Sequence, residues 1–208
     1  MKRIVIFDMD GTLIDSRKDI TISVNYVRKH NHNLPPLSEE FIVNAINMKE
    51  RNLAKLFYET EVYEERDREL FEKHYKEQCI KHPYLFEGTK ELLEKLKDNG
   101  VLMGVATNAP TKFAKTMLAH LGVDSMFELI VGADMAPPKP DPKMVLLILQ
   151  KCGYETGDKA WMVGDNPKDI EVAHRAGIEA IYATWGFQSD FDYPIKAQKP
   201  LDVLEIVL

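Results

Sequence analysis

Five short apolar runs punctuate the chain: Ile4–Phe7, Val101–Ala106, Leu129–Val131, Trp161–Val163 and Ala180–Tyr182. A strand with one wet face alternates apolar and polar residues. An unbroken run suits a strand covered on both faces, as in a parallel sheet. Between the runs, apolar positions recur at helical spacing. Leu92, Leu93 and Leu96 share a face, Glu91 can pair with Lys95, Thr89 is placed as an N-cap and Gly100 as a left-handed stop. Phe113, Met117, Leu118 and Leu121 form a second stripe, closed by Gly122. Asp141-Pro142 opens a third helix with proline at its first position, and Asn166-Pro167 opens a fourth that ends near Gly177. From Pro200, the residues Leu201, Leu204 and Val207 or Leu208 predict a last core-packing helix. Alternating strands and helices imply right-handed crossovers and a doubly wound α/β parallel sheet.

The stretch 16–84 breaks this rhythm. It follows the first strand at once, is rich in charge and helix formers, and shows no buried-strand run. Pro35-Pro36 divides it into two helical parts, because proline cannot continue a helix. The pattern predicts a core domain over 1–15 and 85–208 and an inserted α-helical domain over 16–84. Tyr58, Tyr63 and Tyr75 are expected to pack between its helices, and His30 and His32, with no acidic or cysteine neighbour in sequence, to lie on its surface.

Composition narrows the function classes. The 208 residues are 45% hydrophobic, enough for a sizeable core. The net charge of −6 argues against a basic nucleic-acid or anionic-membrane face. Cys79 and Cys152 have no metal-ligand or redox spacing, which suits reduced thiols in a cytoplasmic protein. Only four apolar residues separate Met1-Lys2-Arg3 from Asp8, too few for a signal segment, and no run reaches membrane-spanning length.

Open α/β sheets bind ligands at the carboxyl ends of their strands. After the first run comes Asp8-Met9-Asp10-Gly11-Thr12, and after the second Thr107-Asn108. Shortly after the third comes Pro138-Lys139-Pro140-Asp141, and after the fourth Gly164-Asp165-Asn166-Pro167-Lys168-Asp169. Taken singly, an aspartate at a strand end is commonly a helix cap and a lysine a solvated cation; the ordered set of four makes those readings poor. Clustered carboxylates repel unless a cation lies among them, and hard oxygen donors beside phosphate select Mg²⁺. Asp8 can act as nucleophile, and Asp10 can protonate a leaving oxygen and later activate water. Thr107 and Lys139 can hold phosphoryl oxygens, with backbone N–H groups near Gly11 and Asn108 as further donors. Trp161 and Trp185 read as packing residues.

The four pieces together resemble the haloacid dehalogenase superfamily of phosphohydrolases. The first reads DMDGTLIDS from Asp8 to Ser16, the second Thr107-Asn108, the third Lys139 within PKPDP, and the fourth GDNPKD from Gly164 to Asp169. The likeness spans essentially the whole chain, and the insert looks like that family's helical cap. Among members the chain is most similar to the phosphoglycolate phosphatase-like group, which Ala183–Phe187 also fits. The resemblance implies that Asp8 is phosphorylated and binds Mg²⁺, and that Asp10 is the acid/base and offers its carbonyl to the metal. It implies that Gly11, Thr107, Asn108 and Lys139 meet the phosphoryl group, and that Asp165 and Asp169 serve the metal. The implied partner is a small phosphate monoester, phosphoglycolate-like or a sugar phosphate, acted on by a monomer or homodimer.

Two departures bear on specificity. Glu87-Gly88 stands where many relatives carry Pro-Gly, and Asn47 where a glycine-containing cap loop is expected. Nearby, Lys49 or Arg51 could reach an anionic leaving group, or could simply line a solvated helix. Phosphomutase and pyrophosphatase readings compete within the superfamily. A mutase would keep a histidine where this chain has Arg17-Lys18-Asp19-Ile20. A haloacid dehalogenase has no need of Asp10 or of a metal cluster around Asp165. A retired, phosphate- or partner-binding scaffold would be expected to lose one of Asp8, Asp10, Lys139 or Asp165, and all four are present.

Overall fold

The structure is a computed structural model and describes residues 1–48, 51–187 and 191–208. The chain divides into two compact units, Met1–Asp15 with Tyr84–Leu208, and Ser16–Pro83.

The first unit is built on a six-stranded parallel sheet. Its strands are β1 (Arg3–Phe7), β4 (Leu102–Ala106), β5 (Leu129–Val131), β6 (Lys159–Gly164), β7 (Glu179–Ala183) and the short β8 (Lys196–Ala197), in the order β5-β4-β1-β6-β7-β8. All five apolar runs are strands. The reason is visible in β1, where side chains alternate between faces yet Ile4, Val5, Ile6 and Phe7 are all buried. Ile4 and Ile6 join Met144, Ile148, Met162 and Val172 on one side. Val5 and Phe7 therefore point to the other. Helices α5 (Thr89–Asp98), α6 (Thr111–His120), α7 (Lys143–Lys151), α8 (Pro167–Ala176) and α9 (Asp202–Val207) complete the layers. Leu92, Leu93 and Leu96 of α5 are fully buried.

β1 lies between β4 and β6. The chain first winds outward from β1 through β4 to β5, then returns to β6 on the other side. The carboxyl ends of β1 and β6 thus flank the switch point where such sheets bind ligands. Beside it, β2 (Ile14–Asp15) pairs antiparallel with β3 (Tyr84–Leu85), with Asp15 opposite Tyr84. The Tyr84 hydroxyl donates to Asp15 Oδ2 at 2.8 Å.

The second unit holds α1 (Arg17–His32), α2 (Glu39–Asn47), α3 (Leu53–Tyr58) and α4 (Glu65–Gln78) around Val24, Val27, Ile42, Ala45, Phe57 and Tyr58. Asn33, in left-handed conformation, ends α1 ahead of the two prolines. Ser38 and Asn52 cap the next two helices by accepting from the N–H groups of Phe41 and Lys55. Asp19 accepts from Gln78 Nε2 at 2.7 Å and from the His82 N–H at 3.0 Å, tying the start of the unit to its end.

Several local expectations shift. Gly88 rather than Thr89 caps α5, and Pro142 is the N-cap of α7 rather than its first residue. In α9 the buried face is Val203 and Val207, while Leu208 is exposed. His32 is not a surface histidine: its side chain is 8% exposed and lies 2.8 Å from the buried Asp67 carboxylate, which also accepts from Asn31. The partner comes from α4, 35 residues further on, where no local pattern reveals it.

Candidate active site

The strand ends bring the chemistry together. The ladder continues one residue past β1 and β4, because Asp8 N–H donates to the Val163 carbonyl at 2.8 Å and Thr107 N–H to Val131 at 3.0 Å. Asp8 and Thr107 are therefore held in register with the strands. The chain then turns sharply: the Met9 carbonyl accepts from Leu13 at 2.9 Å and from Ile14 at 3.0 Å. Gly11 sits in this turn at φ +89°, and a Cβ there would lie 2.4 Å from Asp165 Oδ2, so any other residue would be strained and would push the carboxylate aside. Its N–H donates to the Ile14 carbonyl at 2.9 Å. Gly11 thus serves the close approach of loop and carboxylate, and its own N–H is engaged inside the turn rather than offered to an anion.

Lys139 is the hub. Its ammonium donates to Asp8 Oδ1 at 2.6 Å and to Asp169 Oδ1 at 2.7 Å, and the residue is 6% exposed. Asn108 holds the lysine backbone from both ends: its Oδ1 accepts the Lys139 N–H at 2.7 Å and its Nδ2 donates to the Lys139 carbonyl at 3.3 Å. The Asn108 side chain is thus a brace for the lysine. The Thr107 oxygen accepts the Ala109 N–H at 3.1 Å, which leaves the hydroxyl hydrogen to be donated elsewhere.

The segment Asn166–Asp169 forms a capping box at the start of α8. Asp169 Oδ2 accepts the Asn166 N–H at 3.0 Å while its Oδ1 accepts Lys139, so one side chain caps the helix and joins the site. Asp165 accepts the Phe187 N–H on Oδ2 at 2.7 Å, and the Thr12 hydroxyl lies 3.4 Å from Oδ1.

Carboxylate oxygens of Asp8, Asp165 and Asp169 lie within 4.8 Å of one another. Burial, together with the charges of Asp8 and Asp169, pushes the Asp165 carboxyl well above its usual range. Burial also raises Asp169, to about 6, with Lys139 opposing the rise and Asp8 adding to it. Burial alone would lower Lys139, but Asp169 and Asp8 outweigh it and hold the ammonium above its ordinary value. The cluster therefore lacks positive charge. Three carboxylates face one ammonium, an excess of two negative charges that suits a hard divalent ion.

Asp10 is half-buried in the turn, and its carboxylate stands outside the three-carboxylate group. Arg51 is exposed just before α3 in the helical unit, and Lys49 lies outside the described residues. Two contributors escape a reading of the sequence as packing and motifs. Thr12 sits inside the first motif, and that membership was the available signal; its place beside Asp165, 153 positions on, shows only in the fold. Trp185 donates its indole N–H to the Thr12 carbonyl at 2.9 Å, from 173 residues away. Among the described residues, no helix is long and apolar enough to cross a membrane.

Known proteins resemble this chain over most of its length. A phosphoglycolate phosphatase of Haemophilus influenzae is 31% identical over 211 residues, covering 95% of this chain and 92% of its own. An N-acetylmuramic acid 6-phosphate phosphatase of Pseudomonas aeruginosa is 29% identical over 194 residues, covering 91% and 85%. The crystal structure of a predicted phosphoglycolate phosphatase from Haemophilus somnus superposes with a TM-score of 0.84 at 27% identity, over 100% of this chain and 98% of that one. The family model of haloacid dehalogenase-like hydrolases matches residues 5–183, and the chain belongs to that family, as a phosphoric monoester hydrolase of the phosphoglycolate phosphatase-like group.

Proposed function

We propose that the protein is a Mg²⁺-dependent phosphatase of small phosphate monoesters that works through an aspartyl-phosphate on Asp8. The observation that carries this reading is the Lys139 ammonium shared between Asp8 and Asp169 inside a buried three-carboxylate cluster. Asp8 and Asp165, with the backbone carbonyl of Asp10, would hold the ion. Asp169 would support it at one remove, since its two oxygens already accept from Lys139 and Asn166. When bound, Mg²⁺ supplies charge neutralisation and orients the phosphoryl group.

A carboxylate oxygen of Asp8 attacks phosphorus, the bond to the ester oxygen breaks, and Asp10 gives that oxygen its proton. Asp10, now a carboxylate, takes a proton from water. The water oxygen attacks the same phosphorus, releasing inorganic phosphate and restoring the Asp8 carboxylate. Lys139, the Thr107 hydroxyl and the Asn108 backbone N–H stabilise the phosphoryl oxygens, whose charge is redistributed during transfer. The Asn108 side chain keeps Lys139 in place.

The substrate class rests on the relatives: one is named for phosphoglycolate, a small acid phosphate, and another for a sugar phosphate. The helical unit over Ser16–Pro83 is assigned the choice between them, with Arg51 as a candidate contact. Two free, buried cysteines go with a cytoplasmic location. The test is a panel of phosphoglycolate, sugar phosphates, nucleotides and pyrophosphate, run with Mg²⁺ and with a chelator, wild type beside Asp8→Asn. Hydrolysis should require both the metal and Asp8. Turnover that survives chelation or the Asp8 change sinks the mechanism, and preference for pyrophosphate sinks the monoester assignment.

A further inference from the structure

The chain leaves β7 through Thr184 and then passes directly over the acidic cluster. Its root is anchored: the Thr184 N–H donates to the Ala197 carbonyl at 3.0 Å, and the Thr184 hydroxyl to the same oxygen at 3.2 Å. Three successive residues then grip the site. The Trp185 indole N–H donates to the Thr12 carbonyl at 2.9 Å. Gly186 lies so close that a Cβ there would sit 2.2 Å from Asp165 Cβ and 2.4 Å from the Gly11 carbonyl. The Phe187 N–H donates to Asp165 Oδ2 at 2.7 Å. The Phe187 ring also meets the ring of Phe86, with centroids 6.3 Å apart.

We propose that Trp185, Gly186 and Phe187 form a positioning strap that sets the orientation of the Asp165 carboxylate and locks the Gly11–Thr12 turn against it. The inference deepens the phosphatase reading and rests on it. A carboxylate on a short side chain can swing about two torsions. Here Oδ2 is pinned by a backbone amide, and the Thr12 hydroxyl stands by Oδ1. The second hydrogen bond depends on where Thr12 lies, and the Trp185 indole holds the Thr12 carbonyl. The indole thus acts on the cluster through one intervening residue. Groups that orient metal ligands in this way commonly govern metal affinity and activity by about 10- to 100-fold.

Trp185→Phe removes the N–H and keeps most of the aromatic bulk; Gly186→Ala drives a methyl into Asp165. Divalent-ion binding is measured directly on the substrate-free protein, by calorimetry with Mg²⁺ and by paramagnetic resonance with Mn²⁺. Steady-state kinetics at saturating Mg²⁺ follow for the best ester. The expected result for Trp185→Phe is about tenfold weaker ion binding and a matching fall in kcat, with KM for the ester little changed. Gly186→Ala should weaken ion binding further, or fail to fold, and the tryptophan variant decides alone in that case. Ion affinity and kcat within twofold of wild type overturn the proposal, and so does a lowered melting temperature with both unchanged. If wild type itself binds neither ion, the phosphatase reading fails beneath it, an outcome distinct from a strap that does nothing.

Discussion

Lys139 answers to two acids at once, 2.6 Å from Asp8 and 2.7 Å from Asp169, with its side chain 3% exposed. An ammonium that deep is tolerated only because both carboxylates stay beside it. Lys139→Met keeps the length of the stem and removes the charge. It should lower kcat/KM by about 10²- to 10³-fold, the size found when one preorganised charge-stabilising donor is lost. Steady-state kinetics check this, and a Lys139→Met enzyme within tenfold of wild type would show that the ammonium is not what holds the phosphoryl charge. Residues of this kind were legible early: Asp8 and Asp165 directly follow the ends of their strands, and Lys139 stands between two prolines a short way beyond another. The Asn108 side chain was visible as a residue but not as a brace, because its bonds run to a backbone 31 positions away. His32 was misplaced on the surface for the same reason, since Asp67 reaches it across two helices.

At the level of elements, apolar periodicity carried most of the information. The α5 stripe is an example: Leu92, Leu93 and Leu96 are buried as their spacing requires, and Glu91 pairs with Lys95 at 2.8 Å on the wet face. Leu96→Ala should cost about 2–5 kcal/mol by emptying a packed site. Urea unfolding checks it, and at this chain length each kcal/mol should lower the melting temperature by about 2–4 °C. Helix ends were less legible than helix faces. A cap is decided by one torsion and one hydrogen bond, so Gly88 displaced Thr89, and Pro142 moved one place outward. The fourth strand end did better because Asn166-Pro167-Lys168-Asp169 carries its own cap chemistry, proline included.

Across the whole molecule, what matters is how Ser16–Pro83 joins the sheet-bearing unit. The chain departs after Asp15 and returns at Tyr84, and these two residues face each other in an antiparallel pair tied by a side-chain hydrogen bond. Neighbouring strands of that kind can be closed by a two-residue turn. Replacing 16–83 with Asn-Gly should therefore give a folded sheet-bearing unit, cooperative in thermal unfolding and still able to bind Mg²⁺. Its discrimination among phosphate esters should collapse. A core that cannot fold alone would contradict the independence of the sheet-bearing unit, and one that keeps the full selectivity of the parent would contradict the assignment of specificity to the helices. The Asp15–Tyr84 pairing has an evolutionary side too. If the shortened chain folds as expected, it is a seam at which a gene could be cut and rejoined without disturbing the reading of the sheet. Lineages could then graft new recognition onto an inherited reaction there, and a family built this way would change its diet faster than its chemistry.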